Sequence, residues 1–173
     1  MQVNSEGSKT MRTADIAAVV ALGVGATAVM DIWLLVIRRL GIPTGSFALI
    51  GRWVGHFRHG RFMHTAIGKA DQVPGELAIG WLTHYAIGIA YAAMLVAMAG
   101  THWLDRPSVL PAVAFGIATV VAPLFVMQPA MGSGVAASKT PTPVIHCARS
   151  VLNHTVFGLG LYFCATAIAW VWR

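Results

Sequence analysis

The chain has 173 residues, of which 57% are hydrophobic and 10% are charged, and its net charge is +6 at pH 7. Soluble domains usually carry about 25% charged residues, so the composition excludes an ordinary soluble domain and predicts one membrane domain over residues 1–173. The positive charge gathers beside an apolar segment. It therefore favours the lipid bilayer as partner, with anionic head groups contacting loop 1, and argues against a nucleic-acid partner.

Four hydrophobic windows are each about as long as a bilayer crossing, which takes about 20 apolar residues. They are Ile16–Ile37, Leu77–Ala99, Val109–Met127 and Ser150–Trp172. The alternative of core helices in a soluble protein is disfavoured, because these windows leave no polar faces to meet water. The predicted fold class is all-α: a polytopic membrane protein with four transmembrane helices.

Loop 1, residues 38–76, contains an amphipathic segment at 44–64 that is predicted to lie in the membrane interface without crossing. Arg52, His56 and His59 are spaced to share one helix face, and His64 follows. We expect that face to be solvated and cationic. His56 and His59 have a spacing that could ligate a transition metal, but no cysteine or carboxylate lies at a matching position, so no metal site is predicted. The opposite, apolar face comprises Phe47, Ile50, Val54 and Phe57.

An internal repeat is indicated by two segments with the pattern Leu-x-His-x-x-x-Gly-x-small, at 82–90 and 152–160. The preceding helices share a weaker match, in which Val-Met precedes Asp31 in one and Gln128 in the other. The pattern predicts two tandem helix pairs, at about 14–99 and 107–172, related by an axis along the membrane normal. The alternative is that the two segments match by chance, because both draw on a few residue types such as Leu, Ala and Gly.

Four polar residues are predicted to meet in one leaflet, at the ends of the helices next to loop 1 and to loop 3, the connection between the third and fourth windows. At 1.5 Å per residue, Asp31 and His84 lie about 9 and 10 Å from those ends. An intramembrane acid is costly and usually faces the interior near a partner. The predicted ligand or proton site comprises Asp31, His84, Gln128 and His154, and its predicted rim comprises Arg52, His56, His59, His64, Glu76 and Arg149. The alternative is a structural clasp, in which Asp31 accepts a hydrogen bond from His84 or Asn153.

The distribution of Lys and Arg predicts the orientation of the chain. Eight lie on the side of loops 1 and 3: Arg38, Arg39, Arg52, Arg58, Arg61, Lys69, Lys139 and Arg149. Four lie on the other side: Lys9, Arg12, Arg106 and Arg173. The excess predicts cytoplasmic loops 1 and 3 and periplasmic termini.

Several phrases of the sequence resemble one family. They are Met30–Trp33, Gly51–His56, Trp81–Gly88 and Met127–Gly132. Together they are similar to DUF2938, a family of bacterial integral membrane proteins of unknown function. The resemblance spans most of the chain and implies a multi-pass protein of the bacterial inner membrane. It supplies no catalytic residues and no cofactor.

Three functions remain open at this stage. The leading hypothesis is a small inner-membrane protein whose interior polar site binds a small ligand and moves protons or solute, since histidine titrates near neutral pH. The second is a membrane-embedded enzyme on a lipophilic substrate, with Asp31 or His84 as general base. The third is an accessory subunit whose polar contacts are structural. Whether the chain forms a homo-oligomer also stays open.

Overall fold

A computed structural model describes residues 13–171, and the elements within that range are helical. The helices are α1 Thr13–Arg39, α2 Phe47–Gly55, α3 Glu76–Ala99, α4 His102–Asp105, α5 Val109–Ala118, α6 Gln128–Ala130 and α7 Pro143–Val171. Four segments are long and apolar enough to cross a membrane: Thr13–Arg39, Glu76–Ala99, Val109–Ala130 and Pro143–Val171. The predicted all-α fold is therefore confirmed for the described residues. Four segments are apolar and long enough to cross a membrane, as the sequence predicts. Lys9, Arg12, Trp172 and Arg173, which entered the predictions, lie outside the described residues.

The end of α1 has a local cause in the sequence. Arg38 and Arg39 occupy the last turn, where positive charge favours the negative end of the helix dipole. Gly41 follows with φ +81°, a left-handed conformation that glycine adopts at little cost. The Ile42 N–H then donates to the Ile37 carbonyl at 3.0 Å, which closes the helix end in the usual glycine-terminated way.

The third spanning segment, Val109–Ala130, is not one continuous α-helix. Its α-helical pattern stops after Ala118, and a π-helical turn occupies Pro123–Met127 before α6. Pro123 lacks an N–H, and its ring would clash with the carbonyl four residues earlier, so a regular helix cannot pass through it. The α-helix is therefore interrupted, although the segment continues past Pro123 to Ala130.

The start of α7 differs from the sequence prediction. The hydrophobic window begins at Ser150, whereas the helix begins at Pro143. Proline is well suited to the first helical position because its missing N–H would have no helical partner there. The first two turns are more polar than the rest, so hydrophobicity alone does not detect them. His154 consequently lies about 16 Å from the start of its helix, and not about 6 Å as the window implied.

The helices form a bundle in which α1 contacts both α3 and α7, α5 packs on α7, and α2 packs on α3. The buried apolar core lies toward the end of the bundle that α4 closes. Its members include Leu22, Ala26, Leu95, Trp103, Phe157 and Leu161. The polar side chains singled out in the sequence lie in the opposite half, next to loops 1 and 3.

Two glycines allow close approach of the spanning helices. A Cβ on Gly88 of α3 would meet Gly23 and Thr27 of α1, and a Cβ on Gly158 of α7 would meet the backbone of α5 at Ala112 and Gly116. Each glycine follows a histidine of the repeated pattern by four residues. Small residues at such crossings let helices pack through backbone contact. The helix carrying each histidine is therefore packed against the preceding spanning segment.

Candidate functional site

An aspartate, a histidine and a tyrosine meet between α1 and α3. His84 Nε2 lies 2.9 Å from Asp31 Oδ1, and the Tyr85 hydroxyl donates to Asp31 Oδ2 at 2.8 Å. The side chains of His84 and Asp31 are only 11% and 17% exposed. Asp31 lies about 12 Å from the end of α1, and His84 about 12 Å from the start of α3, by helix rise. The predicted contact between Asp31 and His84 is present, and Tyr85 is an additional partner that sequence reasoning missed.

Aromatic rings from two helices cover this cluster. The Phe47 ring of α2 lies 4.5 Å from the His84 ring and 4.2 Å from the Trp81 ring, measured between centroids. Apolar cover lowers the local dielectric and strengthens the polar contacts beneath it. The short helix α2 thus encloses the cluster on the loop 1 side.

The second histidine of the repeated pattern makes a separate contact. His154 Nδ1 lies 2.7 Å from Thr119 Oγ1, which also donates to the Gly116 carbonyl at 2.6 Å. Asn153 does not bind Asp31, because its Oδ1 accepts from Trp33 Nε1 at 3.0 Å. Of the two partners that the clasp hypothesis offers Asp31, His84 is therefore the one in contact. Thr119 is a further residue that sequence reasoning missed.

Gln128 does not join either histidine contact. Its Oε1 is buried and has no hydrogen-bond partner among the described residues. The interruption at Pro123 lies between Thr119 and Gln128 and changes the helical register. Thr119, and not Gln128, is the partner of His154. The predicted four-residue cluster is divided into an Asp31–His84 contact and a His154–Thr119 contact.

The rim residue Arg52 is a buried anchor for loop 1. Its Nε and Nη2 donate to the two carboxylate oxygens of Glu76, each at 2.8 Å. Its Nη1 lies within hydrogen-bonding distance of the carbonyls of Ile67, Gly68 and Ala70, at 3.1–3.4 Å. The hydrogen bond to Glu76 raises the pKa of Arg52 more than burial lowers it. Arg52 is therefore a fixed cation that ties α2 to both loop 1 and α3.

The predicted solvated face of α2 is wrong for two of its residues. Arg52 and His56 are only 6% and 4% exposed, because this face packs inward against loop 1 and α3. His59 and Arg58 are exposed and contact each other at 3.0 Å. Both buried polar side chains on the inward face, Arg52 and His56, have hydrogen-bond partners. These hydrogen bonds offset the cost of removing the side chains from water.

A pair of histidines follows the arginine. His56 Nδ1 lies 2.7 Å from His64 Nε2, with the rings stacked at 4.9 Å. Burial lowers the pKa of His64, and electrostatic interaction with His56 and Arg61 lowers it further. The Nδ1 atom of His64 is buried and has no hydrogen-bond partner among the described residues.

Loop 1 is also fastened to the end of the third spanning segment. The His64 N–H donates to the Ala130 carbonyl at 2.8 Å, and the Ile67 N–H donates to the Met131 carbonyl at 3.0 Å. The other predicted rim residue, Arg149, is partly exposed within α7. The part of loop 1 after α2 thus folds back on α2 and also contacts α3 and the third spanning segment. Arg149 lies on a different helix, α7.

Within residues 13–171, no group of three or more His, Cys, Asp or Glu side chains could hold a metal ion. Two chemical capabilities follow from the contacts. The Asp31 carboxylate and the His84 imidazole can exchange a proton over one hydrogen bond, and the Tyr85 hydroxyl can donate to the same acid. The Asp31–His84 pair also has the parts of a general base held by a carboxylate.

These features define a polytopic helical membrane protein with an Asp–His–Tyr cluster between two spanning helices. Residues 20–168 match the family described as a protein of unknown function, DUF2938, and the chain belongs to this family. No match is found among curated proteins or solved structures. The family resemblance of the sequence phrases is thereby confirmed.

Proposed function

We propose that this protein binds protons, together with a small polar ligand, at the Asp31–His84–Tyr85 cluster and moves them across the membrane. The observation that carries the proposal is the placement of an acid and an imidazole 2.9 Å apart between two spanning helices. Ionisable side chains inside a membrane are costly to place there and usually belong to an ion or substrate pathway. Histidine beside a carboxylate is suited to such a role because it exchanges protons near neutral pH.

The second histidine supports a pathway that continues beyond the cluster. His154 lies on α7, which packs against the same helix α1 that carries Asp31, and it makes its hydrogen bond to Thr119. Protons would reach the cluster from the loop 1 side once Phe47 moves from His84. Arg52 and Glu76 hold α2, and hence Phe47, in the closed position.

Removal of the Asp31 carboxyl group tests the proposal. In liposomes carrying an internal pH-sensitive dye and an imposed pH gradient, the wild-type protein is expected to conduct protons above the empty-liposome rate. Asp31→Asn should lower that rate at least tenfold, because an amide cannot exchange a proton. The matched control is Asp71→Asn, which removes an exposed acid in loop 1 and should leave the rate within twofold. Equal rates for wild type and Asp31→Asn would contradict the proposal.

The second candidate is an enzyme acting on a lipophilic substrate. It is favoured by the contact of His84 Nε2 with Asp31, since a carboxylate on one ring nitrogen orients an imidazole as a base. Turnover by the protein in detergent, without a gradient, would support this candidate and would separate it from transport. The polar contacts could instead be only structural, as in an accessory subunit. The wild-type protein would then show neither proton flux nor turnover, and Asp31→Asn would change only its stability.

We also propose the finer architecture. The tandem repeat is supported by the two histidine–glycine patterns, whose helices each pack closely on the preceding spanning segment through the glycine. An interfacial position of residues 44–64 is supported by their many Arg and His residues and their short apolar run, which disfavour crossing, and by the exposed Phe62 and Met63 within the segment.

The inner membrane, with loops 1 and 3 in the cytoplasm, is the proposed location. The excess of Lys and Arg on the side of loops 1 and 3 supports it. A C-terminal fusion to a reporter that is active only in the periplasm is expected to give strong activity. The same fusion to a reporter active only in the cytoplasm should give background activity, and the reverse result would refute the orientation.

A further inference from the structure

A cationic cavity lies in loop 1, apart from the Asp31 cluster. It has a volume of about 300 Å³ and is lined by residues between 61 and 70. Arg61, His64 and Lys69 supply basic side chains, and Thr65 adds a polar one. No acidic side chain is among the lining residues, all of which belong to the described part of the chain. A cavity with this lining favours an anion.

The wall of the cavity is held in place by buried groups. Arg52 engages the carbonyls of Ile67, Gly68 and Ala70, so these oxygens are turned toward the arginine. Glu76 pairs with Arg52 and compensates its charge. The uncompensated positive charge at the cavity therefore comes from Arg61 and Lys69, on a wall whose shape does not depend on them.

The same stretch of loop 1 is also held by the third spanning segment. The backbone N–H groups of His64 and Ile67 donate to the carbonyls of Ala130 and Met131. His64 itself lines the cavity, and its buried Nδ1 has no hydrogen-bond partner among the described residues. An unsatisfied buried polar atom is unfavourable.

Apolar side chains stand next to the cavity. Phe62 and Met63 are 55% and 68% exposed and flank Arg61 and His64 in sequence. Exposed apolar groups beside basic ones are typical of protein surfaces that meet lipid head groups. Arginine binds phosphate through two parallel hydrogen bonds, and lysine adds a point charge.

We propose that this cavity binds a phosphate group through Arg61 and Lys69, supplied either by an anionic phospholipid or by a soluble phosphate. The phosphate would bind between the side chains of Arg61 and Lys69, next to His64, which also lines the cavity. The site is independent of the Asp31 cluster. Asp31→Asn should therefore leave phosphate binding unchanged, so failure of one proposal does not imply failure of the other.

Two probes separate the sources of phosphate. Equilibrium dialysis of the purified full chain in detergent measures binding of labelled inorganic phosphate. Native mass spectrometry after reconstitution with phosphatidylglycerol or phosphatidylcholine counts retained lipid. Binding of inorganic phosphate alone would identify a soluble anion, and selective retention of phosphatidylglycerol alone would identify a head group. Either outcome supports the cavity, provided that it depends on the two basic residues.

The double variant Arg61→Gln, Lys69→Gln is expected to weaken binding of the retained probe at least tenfold. Its matched control is Arg38→Gln, Arg58→Gln, which removes the same charge from exposed positions outside the cavity and should change binding less than twofold. If the first double variant does not elute as a single species, Lys69→Gln alone is compared with Arg58→Gln, with at least a threefold difference expected. Equal loss in both variants, or no binding of either probe by the wild type, overturns the proposal.

Discussion

Replacing Glu76 with alanine is expected to release loop 1 and α2 from the bundle while the spanning helices stay folded. The change leaves Arg52 buried without its acid, and breaking a buried ion pair by removing one partner typically costs about 3–5 kcal/mol. We expect about 3 kcal/mol of local stability to be lost, because three carbonyls still contact Arg52. Trypsin cleavage after Arg61 and Lys69 should accelerate roughly a hundredfold, the ratio that this free energy implies.

The control for this prediction is Asp71→Ala, which removes an exposed acid from the same loop. Its cleavage rate should remain within about threefold of wild type, since substitutions at exposed positions usually change stability by under about 0.5 kcal/mol. Far-UV circular dichroism should show unchanged helix content for both variants. Equal cleavage rates for Glu76→Ala and wild type would show that the ion pair does not hold the loop.

Gly116→Ala is expected to separate α5 from α7. A Cβ at this position would meet Gly158 Cα, Gly158 N and the His154 carbonyl at 2.6–2.8 Å. All three are backbone atoms, so the helices must move apart rather than repack a side chain. Overpacking costs about 1–3 kcal/mol, and we expect the upper end here. Unfolding by dodecyl sulfate titration, followed by circular dichroism, measures the loss.

Gly25→Ala on α1 is the matched substitution. The nearest atoms to its added Cβ belong to the Cys164 side chain, which can rotate. Alanine also favours a helix over glycine by about 0.5–1 kcal/mol, so the net change should be below about 1 kcal/mol. A stability loss for Gly25→Ala as large as that for Gly116→Ala would show that backbone contact is not what limits position 116.

The Asp31–His84 contact could be predicted because both residues lie at similar depth on helices joined by one loop. Helix rise alone gives that depth, so no knowledge of packing is needed. Tyr85 could not be found in the same way, because adjacent residues on a helix point about 100° apart. Its hydroxyl reaches Asp31 only through the length of its side chain and the closeness of α1 and α3.

Other features depend on backbone irregularity, which hydrophobic patterns do not encode. Thr119, and not Gln128, contacts His154, because α7 begins at Pro143 and His154 therefore lies deeper than the hydrophobic window implied. The anchor Arg52–Glu76 joins residues 24 apart through a loop without periodicity. Arg52 and His56 lie on the same inward side, but the α-helix ends at Gly55 and His59 is exposed beyond it. The sequence does not indicate that loop 1 would fold back to cover Arg52 and His56.

Helix α1 lies between two partner helices and makes a polar contact with each of them. Asp31 contacts α3 through His84, and Trp33 contacts α7 through Asn153. These residues are two apart, so their side chains leave the helix about 200° apart. A rotation of α1 about its own axis would therefore displace both contacts at once. The contacts of α1 with α3 and with α7 are therefore coupled through the orientation of one helix.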